Sequence, residues 1–177
     1  MPDAMTAALT LFAGLWDGDG DLAVPGLVRG EADDLGYAES DLRADAGVLD
    51  GVALIGSGRL ESRLWTRPCL TITGMDVPSV ATASNTLLPS VRAKFSLRLP
   101  PGQDPGEAFT ALREDLQRRA PWGARVRVRL GETGHPWAGR ADGPEYDRAR
   151  WALERAWGRP PVQIGIGGSI PFVTELE

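Results

Sequence analysis

The stretch VRAKFSLRL, residues 91–99, alternates strictly between apolar and polar side chains. Successive side chains of a β-strand point to opposite faces of the sheet, so this pattern predicts a strand with one apolar and one basic face. The stretch ARVRVRL, residues 124–130, repeats the pattern. Two such strands suit an antiparallel sheet that helices cover on its apolar face and that solvent or a ligand meets on the other.

The strongest helix signal in the chain lies between these two stretches. Asp104, Pro105 and Glu107 are the residue types of an N-cap, a first-turn proline and a capping-box acid. One helical face then carries the apolar side chains of Phe109, Leu112 and Leu116. The segment therefore predicts a helix on the covered side of the sheet.

The chain before residue 91 predicts a helix, an insertion and another strand. Residues 2–16 have apolar side chains at helical spacing, which predicts one apolar stripe formed by Met5, Leu9, Phe12 and Trp16. Residues 17–56 are rich in glycine and aspartate and predict loops with short helical pieces, and a further short helix is predicted at about 57–66. The stretch CLTITGM, residues 69–75, predicts a short strand.

The resulting order is helix, insertion, strand, strand, helix, strand. It matches an α+β, ferredoxin-like β-α-β-β-α-β unit whose first strand is missing. In that unit the first strand lies between the third and the fourth, so we expect residues 91–99 and 124–130 to be separated, with unpaired backbone groups on both. Residues 144–157 predict a further helix, and the short strand and glycine turn after it are typical of a separate α/β layer.

Composition limits the partners of the chain. The net charge of -5 and the pI near 5.0 argue against nucleic acid, because proteins that bind it neutralise phosphates with a basic face. No run approaches the roughly 18 apolar residues of a membrane span, and the N-terminus lacks the features of a secretory signal. We therefore expect a cytoplasmic protein with small-molecule or protein partners.

Residues that bind metals or act as nucleophiles are scarce. A single cysteine, Cys69, excludes an intrachain disulfide and a thiolate zinc cluster, and His135 is the only histidine. Cys69 is expected to be a small buried residue and His135 a surface or packing residue. The stretch DGDGDL, residues 17–22, begins like a calcium loop but lacks its glycine and its final glutamate, which favours a solvated acidic turn.

Two features can bind an anion. Arg98 belongs to a basic face that is either merely solvated or a site where a guanidinium binds a carboxylate through two hydrogen bonds. The turn at residues 165–169 fails the nucleotide-binding pattern because Ile170 replaces its last glycine. It either only joins a strand to a helix, or its backbone amides bind a substrate anion through Gly167, Gly168 and Ser169.

Four stretches occur in an order and spacing that match a known family. They are PDAMTAALTLFAGLWDGDGDLAVPG, RPCLTITGMDV, ASNTLLPSVRAKFSLRLPPGQDP and IGIGGSIPF. Together they resemble the two-zinc aminoacylases and carboxypeptidases, a family that includes carnosinase-type dipeptidases, acetylornithine deacetylase and succinyl-diaminopimelate desuccinylase. The resemblance covers nearly the whole chain.

The resemblance implies a domain division and a substrate site. Residues 1–131 would be most of a ferredoxin-like lid, which is also the dimerisation domain and contains the insertion at 17–66. Residues 132–177 would begin the return into an α/β catalytic domain. Arg98 would bind the carboxylate of a peptide or N-acyl amino acid, and Ser169 would help to bind the same group. A further contact that reaches the partner subunit's site in a homodimer would be Asn85 or Thr86.

The resemblance also implies chemistry that this chain cannot perform alone. In the family a water that bridges two zinc ions attacks the amide carbonyl, but the metal-binding residues have no counterpart here. The lid histidine and the first lid strand would lie before Met1. We therefore expect an inactive fragment that supplies substrate recognition and the dimer interface to a dipeptidase or amidohydrolase. The alternative is a non-catalytic ferredoxin-like module that binds a small molecule or has a regulatory role.

Overall fold

A computed structural model describes residues 1–139 and 141–165. Its helices are α1 (Ala4–Ala13), α2 (Glu39–Ala46), α3 (Pro105–Arg118) and α4 (Pro144–Trp157), and its strands are β1 (Cys69–Asp76) and β2 (Arg92–Arg98). A π-helical turn spans Ser62–Thr66, and 3-10 turns span Val80–Thr82 and Pro121–Gly123. The predicted α+β class is confirmed. None of the helices in the described ranges is long and apolar enough to cross a membrane.

The two strands form an antiparallel sheet. Their register runs from Cys69 opposite Arg98 to Asp76 opposite Arg92, with a bulge between Ile72 and Gly74. Along β2 the apolar side chains are half-buried and the polar ones are exposed, so the predicted alternation is confirmed. A slip of one residue would bury the cations of β2, and this cost fixes the register.

Residues 124–130 form no regular element and pair with no strand in the described part of the chain. Their arginines are exposed while Ala124, Val126 and Val128 are half-buried, and both valines pack against the core. Leu130 was expected to point inward, but it is 51% exposed because it lies at the end of the segment, beyond the core. The segment has the alternating side-chain burial of a strand without a strand's hydrogen bonds.

The hydrophobic core lies between the sheet and the two helices α1 and α3. Its buried members are Leu11, Leu15, Leu22, Val24, Leu70, Leu112 and Leu116. At the start of α3, Asp104 accepts a hydrogen bond from the amide of Glu107 at 2.9 Å, which confirms the predicted N-cap. At its other end, Arg119 donates to the carbonyl of Gly14 and to the buried carboxylate of Asp115, and so ties α3 to the end of α1.

The predicted apolar stripe of α1 is wrong in its first half. Met5 and Leu9 are 37% and 51% exposed, whereas Ala7 and Leu11 are buried. Phe12 packs against Phe95 of β2 with ring centroids 5.0 Å apart and the rings nearly perpendicular. The sequence has apolar residues on two adjacent faces of α1, and packing on β2 selects the face with the small Ala7, since a small side chain lets the helix approach closely.

The insertion at residues 17–66 is attached to the sheet through a network of charged and hydroxyl groups. Arg67, just before β1, donates to Glu31 at 2.5 Å and to the carbonyl of Ser57 at 2.8 Å, and lies 3.5 Å from Asp21. Both Asp21 and Arg67 are largely buried. The helix predicted at 57–66 is confirmed only near its end, as the π-helical turn that contributes the buried Ser62 to this network.

The network shifts the pKa of two carboxylates. Burial alone would raise the pKa of Asp21, but hydrogen bonds from Ser57 and the charges of Arg67 and Arg29 lower it overall. The pKa of Glu31 is lowered by hydrogen bonds from Ser62 and Arg67. A carboxylate with a lowered pKa stabilises the fold above its unfolded pKa, and this contribution is lost as the pH falls through the folded pKa.

Cys69 was expected to be buried, but its side chain is exposed. The alternation of β1 explains the difference: Leu70 faces the core, so Cys69 and Thr71 face outward with the polar side chains of β2. Pro68, which precedes β1, therefore does not indicate which face of the sheet the first residue of the strand occupies.

Replacing Arg67 with methionine should lower the free energy of unfolding by about 2–4 kcal/mol at neutral pH, because Asp21 would keep a nearly buried charge without its cation. Urea denaturation measures this change.

Arg59→Met is the matched control, since the ion pair of Arg59 with Asp34 is exposed on both sides and should contribute less than about 0.5 kcal/mol. The difference between wild type and Arg67→Met should shrink below about pH 4, where the carboxylates become protonated. Equal losses in the two variants would contradict this role.

Cys69 should react with a maleimide fluorophore to one equivalent in the folded protein, without denaturant. Because its side chain is exposed, the rate should be within about tenfold of the rate in the unfolded chain. Mass spectrometry counts the label, and Cys69→Ser is the blank. A thiol that reacts only after denaturation would show that this face of β1 is covered.

Candidate functional site

The sheet face opposite the helices carries a concentration of positive charge in a chain whose net charge is -5. The exposed cations are Arg92, Lys94 and Arg98 on β2, and Arg125, Arg127 and Arg129 at alternate positions of residues 124–130. Arg92 forms an ion pair with Asp76 at 2.5 Å, but both side chains are exposed, so the pair contributes little to stability. The face is therefore an attractive surface for an anionic group.

Arg98 lies at the last position of β2, where the register places it opposite Cys69. Arg98 is exposed and is one of the residues that line a wide groove of about 2780 Å³. The strand alternation explains this position, because Leu97 points to the core and Arg98 must then point away from it. A guanidinium so placed can offer two parallel donors to a carboxylate.

Asn85 and Thr86 are exposed in the connection from β1 to β2, residues 77–91. The amide of Thr86 donates to Ser84 Oγ at 3.4 Å, and the amide of Ala4 donates to the carbonyl of Leu88 at 3.0 Å, which anchors the connection to the start of α1. The connection leaves and returns at the Asp76 and Arg92 end of the sheet.

Arg98 lies at the other end of the sheet from this connection. The seven residues of β2 span roughly 20 Å at the usual rise per residue. The connection that carries Asn85 and Thr86 thus joins the sheet at the end opposite Arg98.

Gly167, Gly168 and Ser169 lie outside the described residues, and so does Ile170. The residues just before them, 162–165, line the same groove as Arg98. Gly165 lies against Trp65: a Cβ added at this position would come within 2.5 Å of the indole Cγ. A glycine is therefore required there for a close approach of the backbone, whatever the function of the turn that follows.

The described residues do not fit a pair of zinc ions. Among residues 1–139 and 141–165 there is no group of three or more His, Cys, Asp or Glu side chains that could hold a metal. His135 is exposed. In the acidic turn, Asp17 accepts hydrogen bonds from the amides of Asp19 and Asp21, both at 3.0 Å, and Asp21 is engaged with Ser57 and Arg67.

Sequence reasoning missed the network around Arg67, which positions the insertion beside the sheet. Glu31 and Arg67 are 36 residues apart along the chain, as are Asp21 and Ser57. No periodicity or short motif links residues at such distances. The one signal that the sequence offered for this network was the number of acidic residues in the insertion, some of which need partners where the insertion packs against the rest of the chain.

Comparison with curated proteins identifies relatives, although no family model matches the chain. It is 32% identical to a cysteinylglycine-S-conjugate dipeptidase of Corynebacterium striatum over 99% of the chain and 40% of that protein. It is 26% identical to a β-Ala-His dipeptidase of Rattus norvegicus over 96% of the chain and 37% of that protein. The chain thus spans about 40% of the length of the curated relatives it matches.

Solved structures share the fold. A dipeptidase of Saccharomyces cerevisiae matches with a TM-score of 0.79 at 20% identity, over 98% of this chain and 39% of that one. Human carnosine dipeptidase 1 matches with a TM-score of 0.72 at 23% identity, over 98% and 40%. A metallo-carboxypeptidase of Sulfolobus solfataricus matches with a TM-score of 0.71 at 19% identity, over 97% and 47%. Over nearly its whole length the chain is thus similar to dipeptidases and to a metallo-carboxypeptidase, the kinds of enzyme that the sequence resembles.

Proposed function

We propose that this chain is the lid and dimerisation portion of a zinc-dependent dipeptidase or N-acyl-amino-acid amidohydrolase. Residues 1–131 form the lid, and residues 132–177 begin the return into the catalytic domain. The observation that carries the proposal is the 32% identity with a dipeptidase along 99% of the chain. The likeness to solved dipeptidases over 98% of the chain supports it independently at the level of the fold.

In this proposal Arg98 recognises the free carboxylate of the substrate, assisted by the turn at Gly167, Gly168 and Ser169. The observation that favours this assignment is that Arg98 is exposed at the end of β2. A charge-assisted contact of this kind contributes about 1.5–3 kcal/mol. Such a contact holds the carboxylate end of a small peptide in place and so limits the positions that the amide bond of the peptide can take.

A homodimer accounts for the separation of the two candidate contacts. A dipeptide is only about 7 Å long, which is much shorter than the roughly 20 Å length of β2. Arg98 and the point where the connection carrying Asn85 and Thr86 joins β2 are thus farther apart than one dipeptide spans. In the proposed dimer, Arg98 binds substrate in its own subunit, while Asn85 or Thr86 extends to the site of the partner subunit.

Hydrolysis itself belongs to residues that the described part of this chain does not contain. The lid contributes binding and orientation, which lower the barrier by holding the scissile bond in a reactive position. Because the described side chains do not form a zinc site, no catalytic step is assigned to them.

The 177-residue chain alone should retain no stoichiometric zinc after dialysis and should not hydrolyse dipeptides. The reason is that its His, Cys, Asp and Glu side chains do not converge in the described structure. Atomic absorption and a ninhydrin assay measure the two quantities. Stoichiometric zinc, together with hydrolysis that a chelator abolishes, would show that the catalytic site lies within this chain.

In the longer enzyme that the proposal implies, Arg98→Ala should lower kcat/KM about ten- to a hundredfold for dipeptides with a free carboxylate. The loss should be far smaller for the corresponding C-terminal amides, which lack the anionic group. Arg92→Ala is the matched control, because Arg92 lies on the same face of the same strand but at its other end.

Steady-state kinetics on the paired substrates decides the role of Arg98. Equal losses on acids and amides would make it a residue of a solvated face. A loss of the same size in Arg92→Ala would assign the effect to the charge of the whole face. Either result would remove Arg98 from the proposed site.

A further inference from the structure

Trp65, which belongs to the π-helical turn Ser62–Thr66, lies against the backbone at Gly165. A Cβ added at Gly165 would come within 2.5 Å of the indole Cγ of Trp65 and within 2.7 Å of its Cβ. These atoms are at the base of the side chain and can move little. The φ angle of Gly165 lies outside the left-handed range, so its own conformation does not require glycine. The approach of Trp65 is therefore the reason that only glycine fits.

The contact lies at the start of the turn that is proposed to bind a carboxylate. Residues 162–164 are exposed, whereas Gly165 and Trp65 are half-buried. Gly165 is the first residue of the turn at 165–169, and the amides proposed as anion donors begin two residues later in the sequence. A contact at Gly165 therefore acts on the direction in which the chain enters the turn.

The backbone that carries Trp65 is fixed on both sides. Before it, Ser62 is fully buried and its hydroxyl donates to Glu31 at 2.8 Å. After it, the carbonyl of Thr66 accepts a hydrogen bond from the amide of Gly30 at 2.8 Å. π-helical turns are rare and often occur at functional sites. The indole is thus presented by a backbone that the rest of the insertion holds in place.

We propose that Trp65 is a positioning residue of the carboxylate site: its indole supports the backbone at Gly165 and so orients the amides of the turn that follows. Trp65 does not touch the substrate and acts only through the turn. Donors recognise an anion only when they point at it, and a displacement of about 1 Å can lower a rate by about a hundredfold. The role depends on the proposed function of the chain, and it gives the insertion a part in substrate recognition.

NMR of the 177-residue chain tests the contact itself. In the wild type, the α protons of Gly165 should give nuclear Overhauser cross-peaks to the ring protons of Trp65, because the ring lies where a Cβ of residue 165 would be. Trp65→Ala should also shift the resonances of Gly165. Folded wild-type protein without these cross-peaks would overturn the inference and leave the proposed function untouched.

Steady-state kinetics of the proposed longer enzyme tests the role. Trp65→Ala should lower kcat/KM about tenfold for dipeptides with a free carboxylate, mainly through a higher KM, because the carboxylate is bound alike in the ground state and the transition state. The corresponding C-terminal amides should lose less than about threefold, since they offer no anion to the turn. Trp65→Phe keeps an aromatic ring at the contact and should stay within about threefold of the wild type on both substrates.

Trp137→Ala is the matched control. Trp137 also packs against a glycine, Gly139, but within its own segment and not at the turn. Its removal should leave the ratio of acid to amide activity unchanged, and it should not shift the NMR resonances of Gly165. A tryptophan that only fills space would behave in the same way.

Gly165→Ala is a second route to the same defect, because the added methyl group would displace the backbone from the indole. It leaves the buried core intact, so it serves as the test even if Trp65→Ala does not fold, which a thermal melt shows. The double variant should lose no more activity than the weaker single variant, since both changes break one contact. Losses that add would show that Trp65 acts by another path and would overturn the inference.

Comparison with Arg98→Ala separates the two proposals. If Arg98→Ala distinguishes acids from amides but Trp65→Ala and Gly165→Ala do not, Trp65 has only a packing role and the carboxylate site stands. If Arg98→Ala does not distinguish them either, the carboxylate site is wrong, and the role of Trp65 is rejected with it.

Discussion

Strand β2 is hydrogen-bonded to β1 along one edge and packs against the core through one face. These two contacts determine which of its side chains are buried and which are exposed. Its apolar side chains hold α1 and α3, as the contact between Phe95 and Phe12 shows. The same alternation directs Lys94 and Arg98 outward. The candidate carboxylate site is thus a consequence of the alternation along this one strand.

The insertion depends on a different physical constraint. Leu22 and Val24 near its start are buried in the core, but helix α2 buries no residue. The rest of the insertion is held by Arg67, whose guanidinium contacts Glu31 and Ser57 and lies near Asp21. Charges that are nearly buried require partners at short distance, and this requirement selects one position for the segment relative to β1.

The exposed apolar side chains of α4 fit the proposed place of this segment in a longer enzyme. Trp151 and Trp157 are 61% and 69% exposed, and α4 has no buried residue among those described. A large exposed apolar surface usually marks an interface. In the proposal, α4 belongs to the catalytic domain, whose remaining elements would cover it, whereas α1 and α3 already have their packing partners in the lid.

The sequence by itself determined the elements whose signals are local. Strict alternation in residues 91–99 and the cap at Asp104 each specify the structure of their own segment. Only the tertiary structure decided which face of α1 is buried, that Cys69 is exposed and that Arg67 gathers Asp21 and Glu31. It also decided that Arg98 and Thr86 lie toward opposite ends of the sheet. These properties depend on contacts between residues far apart in the chain, where no short-range periodicity connects them.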